Sequence, residues 1–403
     1  MARKKKDEED ELVEAQTDDL SKIMEGIDAV KKLYKGTDAG DINLMSDMYE
    51  KLMPSGYITT GDWILDLIIS NRPHGGLPLS KFINIFGDSS VGKSLIVAVI
   101  MAAFQKAGGY AMYFDTERAV FPPFMEVLGV DPKKTIFIGK MRTLEKIFET
   151  IVTVVINNKK RKVDVPFVIV IDSMTATNIE SVIEDLTAFG DSGFQGGAKK
   201  QKVLGEAFQK IIDFIKDEKV CFITTDQIRD NMERANKFSA KTRSTSGNAQ
   251  RFYSDVRLEL TLKTNIKNAN KEFIGTEINV KTVKNRIAPN KRETTIFLYG
   301  TKGLDKYKSF LEHLKKQNII SSTSAGIKYT LEDGEVFRID GKMPSESQFK
   351  KLLRTDSEFF DILYNKLYPN YIVKYDRKGD DYFDDLDEDL IYENPEDEES
   401  EID

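Results

Sequence analysis

Between residues 81 and 225, short apolar runs alternate with longer stretches whose apolar positions recur at helical spacing. The runs at 82–86, 110–114, 135–138, 167–171 and 221–225 are short and almost continuously apolar, which predicts buried strands. The stretches at 94–107, 122–128, 143–157 and 201–216 predict helices between them. This alternation predicts an α/β fold with a mainly parallel central sheet. After Tyr253 the texture changes to β-rich stretches at 256–264, 276–283 and 294–299, joined by polar turns, which predict antiparallel additions to one sheet edge. A smaller mixed α/β unit follows from Gly303 to about Tyr371, with a helix at 307–316, a hairpin around 327–339 and helices near 346–353 and 359–367. There are no internal repeats.

Upstream, Leu20, Ile23, Met24, Ile27, Val30 and Leu33 form one apolar stripe on a charged helix predicted at 19–34, and residues 35–40 have a linker-like composition. Such a helix packs on another surface, and its own core and a neighbouring subunit both remain open. The chain thus divides into an N-terminal helix and linker (1–56), a core (57–300), a small C-terminal domain (301–371) and a tail (372–403). With 403 residues, 40% of them apolar, it is long enough for one large core plus an appended unit.

Charge changes this picture. The net charge is −7, yet residues 376–403 hold 15 acids against Arg377 and Lys378, so residues 1–375 carry +6. Two readings of the tail stay open: a disordered solubilising segment, and a competitor with phosphates for the body's basic surface. The basic residues at 3–6 read as a solvated terminus or as a small nucleic-acid contact. Cys221 is the single cysteine, so neither a disulfide nor a cysteine metal site can be built, and a reducing, intracellular setting is expected. The two histidines, His74 and His313, are too few for a metal cluster and read as structural. No apolar run approaches the roughly 20 residues that span a bilayer, so no membrane association is expected.

The first candidate chemistry is Gly87, Asp88, Ser89, Ser90, Val91, Gly92, Lys93 and Ser94, a phosphate-binding loop pattern with a predicted strand before it and a helix after it. Glycines let backbone N–H groups curl around phosphates, Lys93 supplies charge to the outer ones, and the Ser94 hydroxyl suits Mg2+. ATP and Mg2+ are the expected ligands. A second element is the apolar run at 167–171 ending in Asp172, a carboxylate placed to orient Mg2+ or its water, although apolar strands ending in Asp are common. A third is Glu117, which can activate water or be a surface charge in a loop.

At these residues the chain resembles the RecA recombinase family. The likeness runs from Ile58-Thr59-Thr60-Gly61 through Gly75-Gly76-Leu77-Pro78 to the phosphate loop and to Leu128-Gly129-Val130-Asp131. It continues in Asp226-Gln227-Ile228-Arg229, in Thr245-Ser246-Gly247-Asn248-Ala249 with Phe252-Tyr253, and in Lys281-Thr282-Val283-Lys284-Asn285-Arg286. It covers roughly residues 57–340. The resemblance implies a DNA-dependent ATPase that forms a homo-oligomeric helical filament on single-stranded DNA and exchanges strands with a homologous duplex. It also implies the cytoplasm of a bacterial cell or phage-infected host.

By position, Glu117 would be the general base and Gln227 the γ-phosphate sensor. Phe124 would stack on adenine, and Lys284 and Arg286 would reach the nucleotide of an adjacent subunit. Phe252 resembles the residue that reports nucleotide state across subunits, and the N-terminal helix would serve polymerisation. Phe121 stands where the family usually has an acid that reads adenine, and the trans pair is Lys and Arg rather than two lysines, which alters geometry.

Two long loop-like stretches, 184–200 and 228–246, match that family's DNA-binding loops; glycines and cations suit phosphates, with Met232 and Phe194 as candidate wedges between bases. Lys315, Lys316, Lys328, Lys350, Lys351 and Arg354 either guide duplex DNA or form a solvated charged face. The alternatives to a recombinase are a RecA-fold nucleic-acid motor or helicase and a nucleotide-gated scaffold without hydrolysis. Gln227, Lys284 and Arg286 favour the recombinase over the first, and Glu117 with Lys93 over the second.

Overall fold

The computed structural model describes residues 22–23, 25–28, 30, 32, 52–118, 120–180, 196–230, 242–244 and 248–374. The chain forms two units, Met1–Pro54 and Ser55–Asp403. In the first, the described residues between 22 and 32 are helical, as the apolar stripe predicts.

In the second unit, β1 (Tyr57–Ile58) pairs antiparallel with β2 (Leu77–Pro78), and helix α1 (Trp63–Ser70) lies between them in sequence. Then come β3 (Lys81–Gly87), α2 (Lys93–Lys106), β4 (Tyr110–Asp115), α3 (Pro122–Val127), β5 (Thr135–Gly139), α4 (Leu144–Lys160) and β6 (Phe167–Asp172). They are followed by α5 (Gly196–Ile215), β7 (Val220–Asp230), β8 (Thr242–Ser244), α6 (Asn248–Tyr253), β9 (Val256–Lys267), β10 (Phe273–Asn285), β11 (Glu293–Tyr299) and β12 (Gly303–Leu304). The central sheet has the order β12-β11-β10-β9-β3-β7-β6-β4-β5. Neighbours from β9 to β5 are parallel, and β10, β11 and β12 add antiparallel beyond β9. The expected α/β architecture is therefore borne out.

The strands read as continuous apolar runs because both sheet faces are covered. Every residue of β6 is buried. Val168 and Val170 pack on one face with Ile96, Val97 and Ile100 of α2. Phe167, Ile169 and Ile171 pack on the other with Ile151 of α4 and Phe208 of α5. The period of two along the strand thus divides its side chains between two cores.

A third core gathers Phe310 and Leu314 of α7 (Lys306–Lys316), Phe349 of α8 (Glu346–Thr355) and Leu363 of α9 (Ser357–Leu367). Ile64 and Leu67 of α1 belong to it, whereas Leu65, Ile68 and Ile69 of the same helix belong to the first core. Sequence reading missed α1, which is buried nearly all round and so lacks the polar face that marks an amphipathic helix.

Three expectations are corrected. The C-terminal hairpin is β13 (Ile320–Thr323) with β14 (Gly326–Tyr329), earlier than residues 327–339, where Thr330 and Val336 form an isolated bridge. The stretch 184–200 ends as helix from Gly196. The stretch 228–246 contains paired strands, with Ile228 opposite Ser244 and Asp230 opposite Thr242. Met232 and Phe194 lie outside the described residues, as does the acidic tail.

Candidate functional site

The carboxyl ends of β3, β4, β6 and β7 share one edge of the sheet, with Gly87 opposite Gln227 and Asp115 opposite Asp172. At Gly87 a Cβ would stand 2.4 Å from the carbonyl oxygen of Leu260 on β9, so close strand approach requires glycine there. The loop then turns through Ser90 at φ +61° and Gly92 at φ +105°, a left-handed turn that can gather N–H groups for an anion. Helix α2 starts at Lys93 behind Gly92, which has no side chain to cap it, so the first-turn N–H groups remain for an anionic ligand. Asp88, Ser89 and Ser90 are exposed, Val91 is a core residue, and Ser94 is exposed on the first turn of α2.

Lys93 is buried, and its Nζ donates to the carbonyl oxygens of Gly87 at 3.0 Å and Asp88 at 2.7 Å. Burial draws its ammonium pKa down, and the charges of Asp172, Glu117, Asp88 and Asp226 act in the opposite sense.

Glu117 is positioned through Thr116, whose N–H donates to the Asp172 carbonyl at 3.0 Å and whose hydroxyl donates to the Ser173 carbonyl at 2.6 Å. Oε1 of Glu117 accepts from the Ser173 hydroxyl and, at 3.3 Å, from Nε2 of Gln227. The Gln227 N–H donates to Thr175 Oγ1 at 3.2 Å. Asp172, buried at the end of β6, accepts from the Tyr113 hydroxyl at Oδ2 and the Thr225 hydroxyl at Oδ1, each at 2.5 Å. Thus Glu117 and Gln227, 110 positions apart, are joined by a hydrogen bond beside the phosphate loop, and Asp172 is tied to the same edge through its carbonyl and the Thr116 N–H.

A cavity of about 150 Å³ is lined by Ser94, Asp115, Glu117, Phe121, Phe124 and Asp172, among others. Phe124 is half-buried in it, and Phe121 is 67% exposed beside it. Pockets that enclose a whole small molecule start at roughly 300 Å³. This one can enclose part of a nucleotide, and the remainder would lie along the open loop.

Lys284 and Arg286 are not part of this edge. Lys284 is opposite Arg257, and Arg257 opposite Asn84, three residues before Gly87. That offset is about 10 Å along the strands, with two strand spacings of about 10 Å across the sheet. Their side chains turn to the carbonyl end of α6: Nζ of Lys284 donates to Arg251 O at 3.0 Å and Phe252 O at 2.7 Å, and Arg286 to Phe252 O at 3.2 Å. Phe252 is 68% exposed beside them.

Sequence reading missed Tyr113, Thr225 and Ser173, because an aromatic or hydroxyl residue inside or beside an apolar strand looks like core. It also missed Lys302 and Lys306, which join Lys350, Lys351 and Arg354 around a groove of about 910 Å³ bordered by Tyr299 and Tyr307. Asp305 and Glu346 also line it: Lys350 is held by Asp305 at 2.6 Å, and Lys315 at 3.0 Å by both Glu312 and Glu346. His313 is buried between Thr294 and the Tyr371 hydroxyl, and burial pushes its pKa down to about 4, which keeps it neutral.

The family model of the RecA N-terminal domain matches residues 25–305. Protein RecA of Thermotoga sp. (strain RQ2) is 31% identical over 80% of this chain and 85% of its own length. Protein RecA of Thermotoga maritima is 30% identical over the same shares, and Protein RecA of Borrelia hermsii is 29% identical over 69% of this chain and 73% of its own length. A family match over residues 25–305, together with relatives 30% or more identical over 80% of the chain, identifies the chain as a member of the RecA family.

Proposed function

We propose that this chain, which as a RecA-family protein acts in DNA recombination and repair, works as an ATP-driven filament that pairs single-stranded DNA with a homologous duplex. The observation that carries the reading is the convergence of Lys93, Glu117, Asp172 and Gln227 on one edge of the sheet.

The residues fit ATP with Mg2+. The left-handed turn at Ser90 and Gly92 and the uncapped start of α2 suit phosphate oxygens, and Lys93 would meet the outer ones. Mg2+ is usually held by one or two carboxylates, substrate phosphates and water, and Asp172 with Ser94 supplies that set. Bound there, it would neutralise charge on the transferring phosphoryl group. Glu117 is exposed at the edge, where it can take a proton from an attacking water. Gln227 connects that carboxylate to DNA-binding backbone without interruption, since β7 continues through it into the hairpin with β8.

The offset of Lys284 and Arg286 from their own phosphate loop supports action on a neighbour's nucleotide, with cations that complete the site only within a filament. Among the described residues β5 is an edge strand, and it presents Ile136 at 46% and Phe137 at 50% exposure, a surface that a second copy's apolar N-terminal stripe could cover. The basic groove around Lys302, Lys306 and Arg354 is suited to duplex phosphates. Among the described residues no helix is long and apolar enough to cross a membrane. A cytoplasmic location is part of the reading.

The test is ATP hydrolysis with and without single-stranded DNA, run beside a homologous strand-exchange assay, for wild type and Lys93→Ala. DNA-stimulated hydrolysis and exchange, both lost in the variant, are expected. Stimulated hydrolysis with unwinding but no exchange would indicate a motor, and DNA binding without turnover a scaffold.

A further inference from the structure

We infer that Tyr113 and Thr225 are positioning residues for the Mg2+ end of the nucleotide site, a clamp of two hydroxyls that fixes both oxygens of the Asp172 carboxylate. This assignment rests on the nucleotide reading above. Strand β6 lies between β4 and β7, and each neighbour contributes one arm. Tyr113 reaches from β4 to Oδ2, and Thr225 reaches from β7 to Oδ1. Both are fully buried, and Asp172 is 7% exposed.

The chemistry gives these contacts one direction. A carboxylate only accepts, and each hydroxyl has a single proton to donate. With Tyr113 and Thr225 donating, the carboxylate cannot rotate without breaking a buried charge-assisted hydrogen bond, and each oxygen keeps a lone pair for Mg2+ or a water bound to it. The Tyr113 ring is itself held, stacked at 14° and 6.1 Å between centroids on Phe137 of β5. It sits in the first core, where a phenylalanine would pack equally well. Outer partners of this kind orient a metal ligand, and losing one typically weakens metal affinity about tenfold or more.

The experiment titrates Mg2+ against a fixed concentration of a fluorescent ATP analogue on the full chain and reads the half-saturating Mg2+ concentration for binding. Tyr113→Phe and Thr225→Val, which remove one hydroxyl each and keep the shape, are expected to raise it about tenfold. Thr225→Ser, which keeps the hydroxyl and loses a methyl, is expected to stay close to wild type. Purely structural roles would reverse that order, with Thr225→Val neutral and Thr225→Ser impaired, and would overturn the inference. So would half-saturation within twofold of wild type for both Tyr113→Phe and Thr225→Val. If wild type itself shows no Mg2+-dependent binding, the nucleotide reading falls and takes this assignment with it; variants that match a binding wild type sink the clamp alone.

Discussion

Lys284 and Arg286 approach the same carbonyl group, that of Phe252, and their like charges are felt by the weaker cation. Partial burial first, and the Arg286 charge second, bring the Lys284 pKa down to about 8. An arginine stays charged far above that pH. If Lys284 completes a neighbour's site, DNA-stimulated hydrolysis should fall as pH rises through about 8, since the ammonium loses its proton there. In Lys284→Arg the alkaline fall should move upward by about one pH unit or more. An alkaline limb at the same pH in both proteins would remove Lys284 from the reaction. The carbonyl contacts were not visible in the sequence, which shows two cations two residues apart just beyond a predicted strand and says nothing of what they pack against.

Helix α1 carries two acids in an almost wholly apolar element. Asp62 caps it, accepting from the N–H groups of Ile64 and Leu65 at 3.0 Å. Asp66 accepts from Thr59 Oγ1 at 2.5 Å, Thr60 N at 2.6 Å and Thr60 Oγ1 at 2.7 Å. Burial outweighs these donors and pushes Asp62 up to about 6 and Asp66 up to about 7. For an acid raised in the folded state above its unfolded value near 3.9, the stabilisation is complete below pH 4 and is lost as pH rises through the folded pKa. Between pH 5 and 8 the melting temperature should therefore decline, and Asp66→Asn should reduce that decline by a few degrees. An identical slope in the variant would show that Asp66 does not titrate in this range.

How much of each element was legible follows from the same physics. Strands β3, β4 and β6 were clear because burial on two faces makes them almost continuously apolar, and the phosphate loop was clear because its spacing is fixed by phosphate chemistry. Helix α1 was hidden because two cores leave it no polar face. Tyr113 and Thr225 were hidden because their donors matter only once β4, β6 and β7 are side by side.

At the scale of the whole molecule, charge is divided along the chain: residues 1–375 carry +6, and the last 28 residues reverse it. Part of that positive charge borders the groove at Lys302, Lys306 and Arg354, where cations also stack on rings, Lys306 on Trp63 at 4.5 Å and Arg354 on Tyr307 at 5.2 Å. Removing residues 376–403 should strengthen duplex binding severalfold at about 0.1 M salt and steepen its loss with added salt. Equal binding at every salt concentration would reduce the tail to a solubilising segment.

The sharing of α1 between two cores also bears on how the protein comes apart. Trp63 meets Phe310 at 5.7 Å and Phe360 at 4.5 Å between ring centroids, while Leu65 and Ile68 face the sheet side. Opening the C-terminal cluster strips one side of a helix whose other side roofs the ATPase core. The two are therefore expected to open together, with the amide hydrogens of α1 exchanging at the rate of the more protected of the two clusters.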